Sequence, residues 1–375
     1  MRKIVRRGKF GRIDMLDFYR GKTVLVTGHT GFKGSWLCRI LVNAGAKVIG
    51  YSLGLPTTPS LFQLADVESR MMSVMGDIRD YENLKKIFDE YQPEIVLHLA
   101  AQPIVRDSYK DPRYTYETNV MGTVNLLECC RLTDSVKSVL NVTTDKVYLN
   151  DDIPDHPFRE DEPLDGYDPY SNSKSCSELV THSYKKCFFT DGRCTVSTAR
   201  AGNVIGGGDF ANDRIIPDCV RAVERGENIV VRNPYSTRPY QHVLEPLAVY
   251  LEIAAKQWMN RAFEGYYNVG PDDCDCVTTG ELVGKFCNAW GNGLTWVNRH
   301  DGGPHEAAFL KLDNTKIKRV FGWKPRWHID ETIQKIVDWT RIYFADPQAI
   351  PAEMDREIEV FFNRKNEVSD VQKHE

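Results

Sequence analysis

The sequence predicts an α/β fold: a doubly wound parallel sheet of Rossmann type, with a smaller C-terminal unit interleaved with it. Three observations lead there. Short β-branched apolar runs alternate with amphipathic stretches up to about Ala201. Those runs are almost continuously apolar, as strands covered on both faces are. Gly28, Gly31 and Gly34 fall between the first such run and the first helical pattern, where a dinucleotide-binding fold turns under its ligand.

The strands are read from "KTVLVT", "KVIGYS", "EIVLHLA", "VKSVLNVTT" and "CTVSTAR", with one more ahead of "GDIRD". Helical spacing covers residues 36–43, 81–91, 116–132 and 170–188. After Ala201 the rhythm turns irregular, from "GNVIGGGDFANDRIIPD" onward. The expected organisation is therefore an N-terminal extension over 1–16, a nucleotide-binding domain over 17–201 to which 240–270 returns, a substrate-binding unit over 202–345, and a charged, mobile tail over 346–375. The cleft between the two units is the expected site.

Composition narrows the function. The chain has 375 residues, 42% hydrophobic and 27% charged, with a net charge of −4. That balance gives no general attraction to a phosphate backbone, so nucleic acid is not an expected partner. No apolar run approaches the ~20 residues that cross a bilayer, so no membrane partner is expected either. The ten cysteines are scattered, and Cys274 and Cys276 lack a second pair, so reduced thiols in a cytoplasmic protein are expected. "HDGGPHEA" gathers His300, Asp301, His305 and Glu306, but its loop glycines offer no regular ligand spacing, and no metal is expected.

Glycine at 28, 31 and 34 lets backbone turn tightly and come close to a pyrophosphate, with the N–H groups of the following helix facing the anion. The cofactor side is assigned to Gly28, Thr30, Gly31, Phe32, Lys33 and Gly34, with Asp77 and Ile78 of "GDIRD" at the adenine and Ala100 of "HLAAQ" below. Gly50, Tyr51 and Ser52 end the second strand without the carboxylate that marks NAD or the arginine that marks NADP.

Tyr170 and Lys174 of "YSNSK" stand one helical turn apart on one face. A nearby ammonium and a positive nicotinamide ring lower a phenol's pKa, so Tyr170 is expected to act as a base. Tyr81 and Lys85 repeat the spacing, but before the fourth strand, and are read as a solvated helix face. "TTDK" places Thr144, Asp145 and Lys146 at the carboxyl edge of the sheet, where α/β sites collect. Arg232 and Arg238, with Arg214, suit a diphosphate.

With the glycine triplet, "HLAAQ", the fifth-strand threonine and the Tyr170–Lys174 pair, the chain resembles the extended short-chain dehydrogenase/reductase family over roughly residues 17–345. "GHTGFKGSWL", "TTDKVY", "GYDPYSNSK", "RAGNVIGGGD" and "RPYQHVLEPL" are similar to its nucleotide-hexose dehydratases. The resemblance implies NAD as cofactor and a sugar nucleotide, CDP-glucose, as substrate. It also implies Tyr170, Thr144 and Lys174 at the C4 hydroxyl, Asp145 as the acid at C6, and Lys146 where most relatives carry a glutamate as C5 base. To serve as that base Lys146 must be neutral, which burial favours and Asp145 opposes. Gln102 and Asn119 match cofactor or active-site positions, Asn203 a position near the sugar, and His305 the nucleotide pocket. A homodimer or homotetramer, paired through the helices at 116–132 and 170–188, is implied as well. Two alternatives stay open: a sugar-nucleotide epimerase of the same fold, and a non-catalytic NAD(P)-sensing protein.

Overall fold

Seven parallel strands form the central sheet of the computed structural model, which describes residues 15–299 and 309–363. They are β1 (Thr23–Thr27), β2 (Lys47–Ser52), β3 (Met72–Met75), β4 (Ile95–His98), β5 (Ser138–Thr143), β6 (Thr195–Arg200) and β7 (Tyr266–Asn268). Their order is β7-β6-β5-β4-β1-β2-β3, so the direction of winding reverses between β1 and β4. A crevice opens at such a reversal, outside the carboxyl ends of the strands.

Helices α1 (Phe32–Asn43), α2 (Tyr81–Tyr91), α3 (Gly122–Arg131), α4 (Pro169–Cys187), α5 (Ile215–Arg225), α6 (Leu244–Met259), α7 (Thr279–Trp290), α8 (Ile329–Ala345) and α9 (Ile350–Asn363) complete the frame. Successive side chains of β1 divide between the two faces of the sheet. Val24 and Val26 pack into one core with Leu37 and Leu41 of α1 and Leu247 and Leu251 of α6. Leu25 packs into the other with Phe88 of α2 and Leu126 and Leu127 of α3. Each such side chain contributes roughly 1.5–3 kcal/mol by leaving water, so both layers are fixed by strand sequence alone.

The C-terminal segments build a third core, in which Ile216 and Cys219 of α5, Val283 and Phe286 of α7 and Ile333 and Val337 of α8 meet. Strand Ile229–Val231 pairs in parallel with Trp296–Asn298 there. The chain between these pieces runs back to the main sheet: α6 packs on it, and β7 adds to its edge beside β6.

Two expectations need correction. Residues 116–132 do not form one regular helix: a π turn over Glu117–Met121 separates α3 from the helical turn Pro112–Tyr116. The stretch from Asp346, expected to be a mobile tail, contains α9. Ile350, Met354, Ile358 and Phe361 of α9 lie buried in the main core, and Asp355 forms an ion pair with Arg39 of α1. The i, i+4, i+8 spacing was present, but charged neighbours in "EMDREIEV" masked it. The rest of the expected tail, 364–375, and most of the N-terminal extension, 1–14, lie outside the described residues.

Candidate functional site

The reversal between β1 and β4 opens into a cleft of about 1180 Å³. Gly28 leaves β1 with φ +74°, and its N–H donates to Tyr51 O at 2.9 Å. A Cβ on Gly28 would lie 2.7 Å from Ala100 N, and one on Gly34 only 2.1 Å from Gly28 O. Neither position accepts a side chain. Gly31 is the N-cap of α1 and gives its first turn no side-chain acceptor, so those N–H groups remain available to an anion at the cleft. A backbone cradle closed to any side chain, at a helix N-terminus, fits a dinucleotide's pyrophosphate.

Around the cradle, Thr30, Phe32, Lys33, Asp77, Ile78 and Ala100 all line the cleft. Several are already engaged. The Thr30 hydroxyl donates to Gly54 O at 2.6 Å. Both Asp77 oxygens accept from Arg79, which holds the carboxyl below its usual range. Burial, then the charges of Lys174 and Arg214, lower the Lys33 ammonium to about 7.

The reactive groups converge from three parts of the chain: the end of β5, α4 and the segment after β6. Thr144 follows β5 and its hydroxyl donates to Asp145 Oδ1 at 2.9 Å; Tyr170, at the start of α4, lines the same cleft. Asp145 is buried, and its other oxygen accepts from Asn203 Nδ2 at 2.9 Å. Its carboxylate lies against Gly202, where a Cβ would fall 2.0 Å from it. Lys146, half-buried, lines the same cleft, and among the described residues its ammonium has no hydrogen-bond or ion-pair partner. Lys174 donates to Val142 O at 3.2 Å and stands above a buried network in which Glu178 holds Arg200 at 3.0 Å.

The electrostatics differ from expectation at Tyr170. Burial pushes its phenol up to about 12; the Thr144 hydrogen bond opposes this and Asp145 adds to it. Among the protein's own groups, burial outweighs the lowering expected of a nearby ammonium. Lys174 moves the other way, lowered to about 8 by burial with Glu178 opposing.

Gln102 and Asn119 are placed less directly. Asn119, in the π turn, accepts from Gln102 N at 2.8 Å and donates to Ser173 Oγ at 2.9 Å, tying the loop after β4 to α4. Gln102 lines the cleft, but its side chain is shared between Thr115 and Ile104. Arg214, Arg232 and Arg238 also line the cleft, Arg214 paired with Asp209 at 3.0 Å. His305 and Glu306 lie outside the described residues. Sequence reasoning missed Arg106, which lines the cleft just after β4, and Asp213, which faces it at 3.9 Å. The signal for Arg106 was a charged residue in the segment that follows the carboxyl end of β4. Cys274, dismissed with Cys276 on spacing, lies with Asp275 and His328, their ligand atoms within 4.8 Å of one another. Asp275 there accepts from Ile329 N at 2.8 Å and His328 Nδ1 at 2.9 Å, as the cap of α8.

A parallel sheet with a glycine cradle at its switch point, and a tyrosine and a lysine one turn apart at its carboxyl edge, defines a nucleotide-dependent α/β enzyme. By its sequence the chain belongs to the GDP-mannose 4,6-dehydratase family, whose model matches residues 25–336. It is 47% identical over 333 residues to a CDP-glucose 4,6-dehydratase of Salmonella typhimurium, covering 87% of this chain and 92% of that one. Among solved structures it is similar to the UDP-glucose 4-epimerase of Thermus thermophilus in complex with NAD (TM-score 0.73, 26% identity, 85% and 99% of the two chains). It is also similar to the dTDP-glucose 4,6-dehydratase of Streptomyces venezuelae with NAD bound (TM-score 0.72, 25% identity, 86% and 97%).

Proposed function

We propose that the protein is a CDP-glucose 4,6-dehydratase, converting CDP-glucose to CDP-4-keto-6-deoxyglucose and water in deoxysugar biosynthesis. The carrying observation is that Tyr170 lines the same cleft as Thr144 and its hydrogen-bonded neighbour Asp145, so that a phenol and a carboxyl serve one site at the sheet edge. Exchange of hydrogen at C4 alone needs only the first of these. Loss of the C6 hydroxyl needs the second.

The order of events follows from bond chemistry, since the C5 hydrogen is scarcely acidic until C4 is a ketone. NAD, which the cradle of Gly28, Gly31 and Gly34 would hold, would supply the redox chemistry that links C4 to C6. Tyr170 takes the C4 hydroxyl proton, oriented by Thr144, with Lys174 as the cation beneath. Lys146 takes the C5 proton and returns one to C5 when C6 is reduced, while the proton gained by Tyr170 replaces the one Asp145 gives up. Asp145 protonates the departing C6 hydroxyl, held on that heading by Asn203. Gly28, Gly31 and Gly34 with the start of α1 hold the dinucleotide phosphates, Ile78 and Asp77 its adenosine end, and Arg214, Arg232 and Arg238 the substrate diphosphate.

Among the described residues no helix is long and apolar enough to cross a membrane, and our reading places the enzyme in the cytoplasm as a homodimer or homotetramer. Exposed Met121 and Leu179, beside α3 and on α4, support pairing through those helices. Incubation with CDP-glucose tests the activity: the product loses the mass of one water and gives the alkaline ultraviolet absorbance of a 4-keto-6-deoxy sugar. Mole-for-mole release of NADH, or an epimer with no loss of water, overturns the reading.

A further inference from the structure

We propose that Arg106 is a further diphosphate-binding residue and that Asp213 is its built-in competitor, a carboxylate that bridges Arg106 and Arg232 until a nucleoside diphosphate takes its place. The inference rests on the reading of Arg232 above and extends it to a residue from the β4 side of the fold.

The two arginines come from different parts of the fold. Arg106 lies in the short helix Val105–Lys110 past the carboxyl end of β4, and Arg232 follows strand Ile229–Val231 of the C-terminal unit; both line the cleft. A single oxygen, Asp213 Oδ1, lies 2.7 Å from Arg232 Nη1 and 3.9 Å from Arg106 Nε. It therefore hydrogen-bonds Arg232 and lies within ion-pair range of Arg106.

Its setting separates it from the other carboxylates nearby. Asp218, which meets Arg232 Nη2 at 3.0 Å, belongs to α5 and is also bound by Arg221, so it stays with the helix. Asp213 precedes α5 in a turn, with φ +58°, a left-handed backbone that aspartate tolerates at some cost. Its side chain is 30% exposed, so moving it unpacks no core.

Charge decides the competition. One carboxylate offers one negative charge and two oxygens, whereas a diphosphate offers more of both, and guanidinium groups favour multidentate oxyanions. Until then Asp213 lies between two like charges and is one of the groups that screen them. The arrangement admits a diphosphate and disfavours an anion too weak to displace it, so it sharpens selection for CDP over CMP.

Calorimetry on the full chain, with CDP, CMP and cytidine as probes, tests this. Arg106→Met is expected to weaken CDP binding about tenfold, the loss of one charged hydrogen bond, with cytidine unchanged. Asp213→Asn, which the left-handed backbone accepts, is expected to tighten CDP severalfold and to narrow the preference for CDP over CMP. Arg232→Met serves as the reference. If it weakens CDP while Arg106→Met does not, or if Asp213→Asn leaves CDP binding unchanged or weaker, the inference is overturned. If Arg232→Met has no effect either, it is the underlying assignment of the diphosphate site that fails. Thermal melting confirms that each variant is folded.

Discussion

Asn203 donates its amide to Asp145 Oδ2 at 2.9 Å, and it does so from a left-handed backbone, φ +50°. The residue before it, Gly202, leaves no room for even one methyl group beside that carboxylate. Together they fix one oxygen of Asp145, and Thr144 holds the other at 2.9 Å. Gly202→Ala is therefore expected to lower kcat by a factor of about 100 or more, since displacing a catalytic group by an ångström has that effect. Dinucleotide affinity should be unchanged, as fluorescence titration with NADH would report.

Tyr170→Phe removes the acceptor of the C4 hydroxyl proton. A loss of about 10²–10⁴ in kcat is expected, with the keto-sugar absorbance lost in parallel and dinucleotide binding retained.

Lys174 gives the reaction an alkaline limit. Its ammonium, lowered to about 8 by burial, is present below that pH and lost above it. The kcat profile should fall as pH rises through about 8, and Lys174→Arg, which keeps its charge, should shift that limb upward even where it lowers the maximum. A profile with no alkaline limb, or one unmoved in the arginine variant, would remove Lys174 from this role.

Solvent deuterium reports on C5. In D₂O the wild-type product should carry deuterium at C5, and Lys146→Met should abolish both this incorporation and turnover. Undiminished incorporation in the variant would assign the base elsewhere.

Stability carries its own pH signature. Glu357 of α9 is buried 3.7 Å from His242, with Glu353 adding repulsion and Lys335 and Arg356 opposing it, and burial holds its carboxyl protonated up to about 8. An unfolded glutamate releases its proton near 4.3. Between those values the folded chain keeps a proton that the unfolded chain has lost, so stability falls as pH rises, by up to about 1.4 kcal/mol per unit. Denaturant titrations from pH 5 to 8 should show a shallower fall in Glu357→Gln.

Most of the nucleotide-binding half was legible because its signals are local. Strand burial on two faces shows as unbroken Val, Ile and Leu, and the cradle shows as glycines three apart. What escaped depended on partners distant in sequence. Asn119 looked like a ligand residue, yet its amide is taken up by Gln102 and Ser173, and nothing in its neighbours announces the π turn that turns it inward. Arg106 and Asp213 are ordinary surface charges until folding brings their segments to one cleft. The burial of Tyr170 escaped for a related reason: helical spacing reveals the neighbouring ammonium but not the depth at which the phenol lies.

The pairing of Arg39 with Asp355 spans 316 positions, joining the helix that opens at the cradle to one translated long afterwards. A growing polypeptide that has emerged only as far as β6 thus carries its glycine loop on an unbraced α1, with Trp36, Leu37 and Leu41 still lacking their eventual cover. Dinucleotide capture should accordingly be a late event during synthesis, and nascent molecules stalled ahead of Ile350 should depend on chaperones.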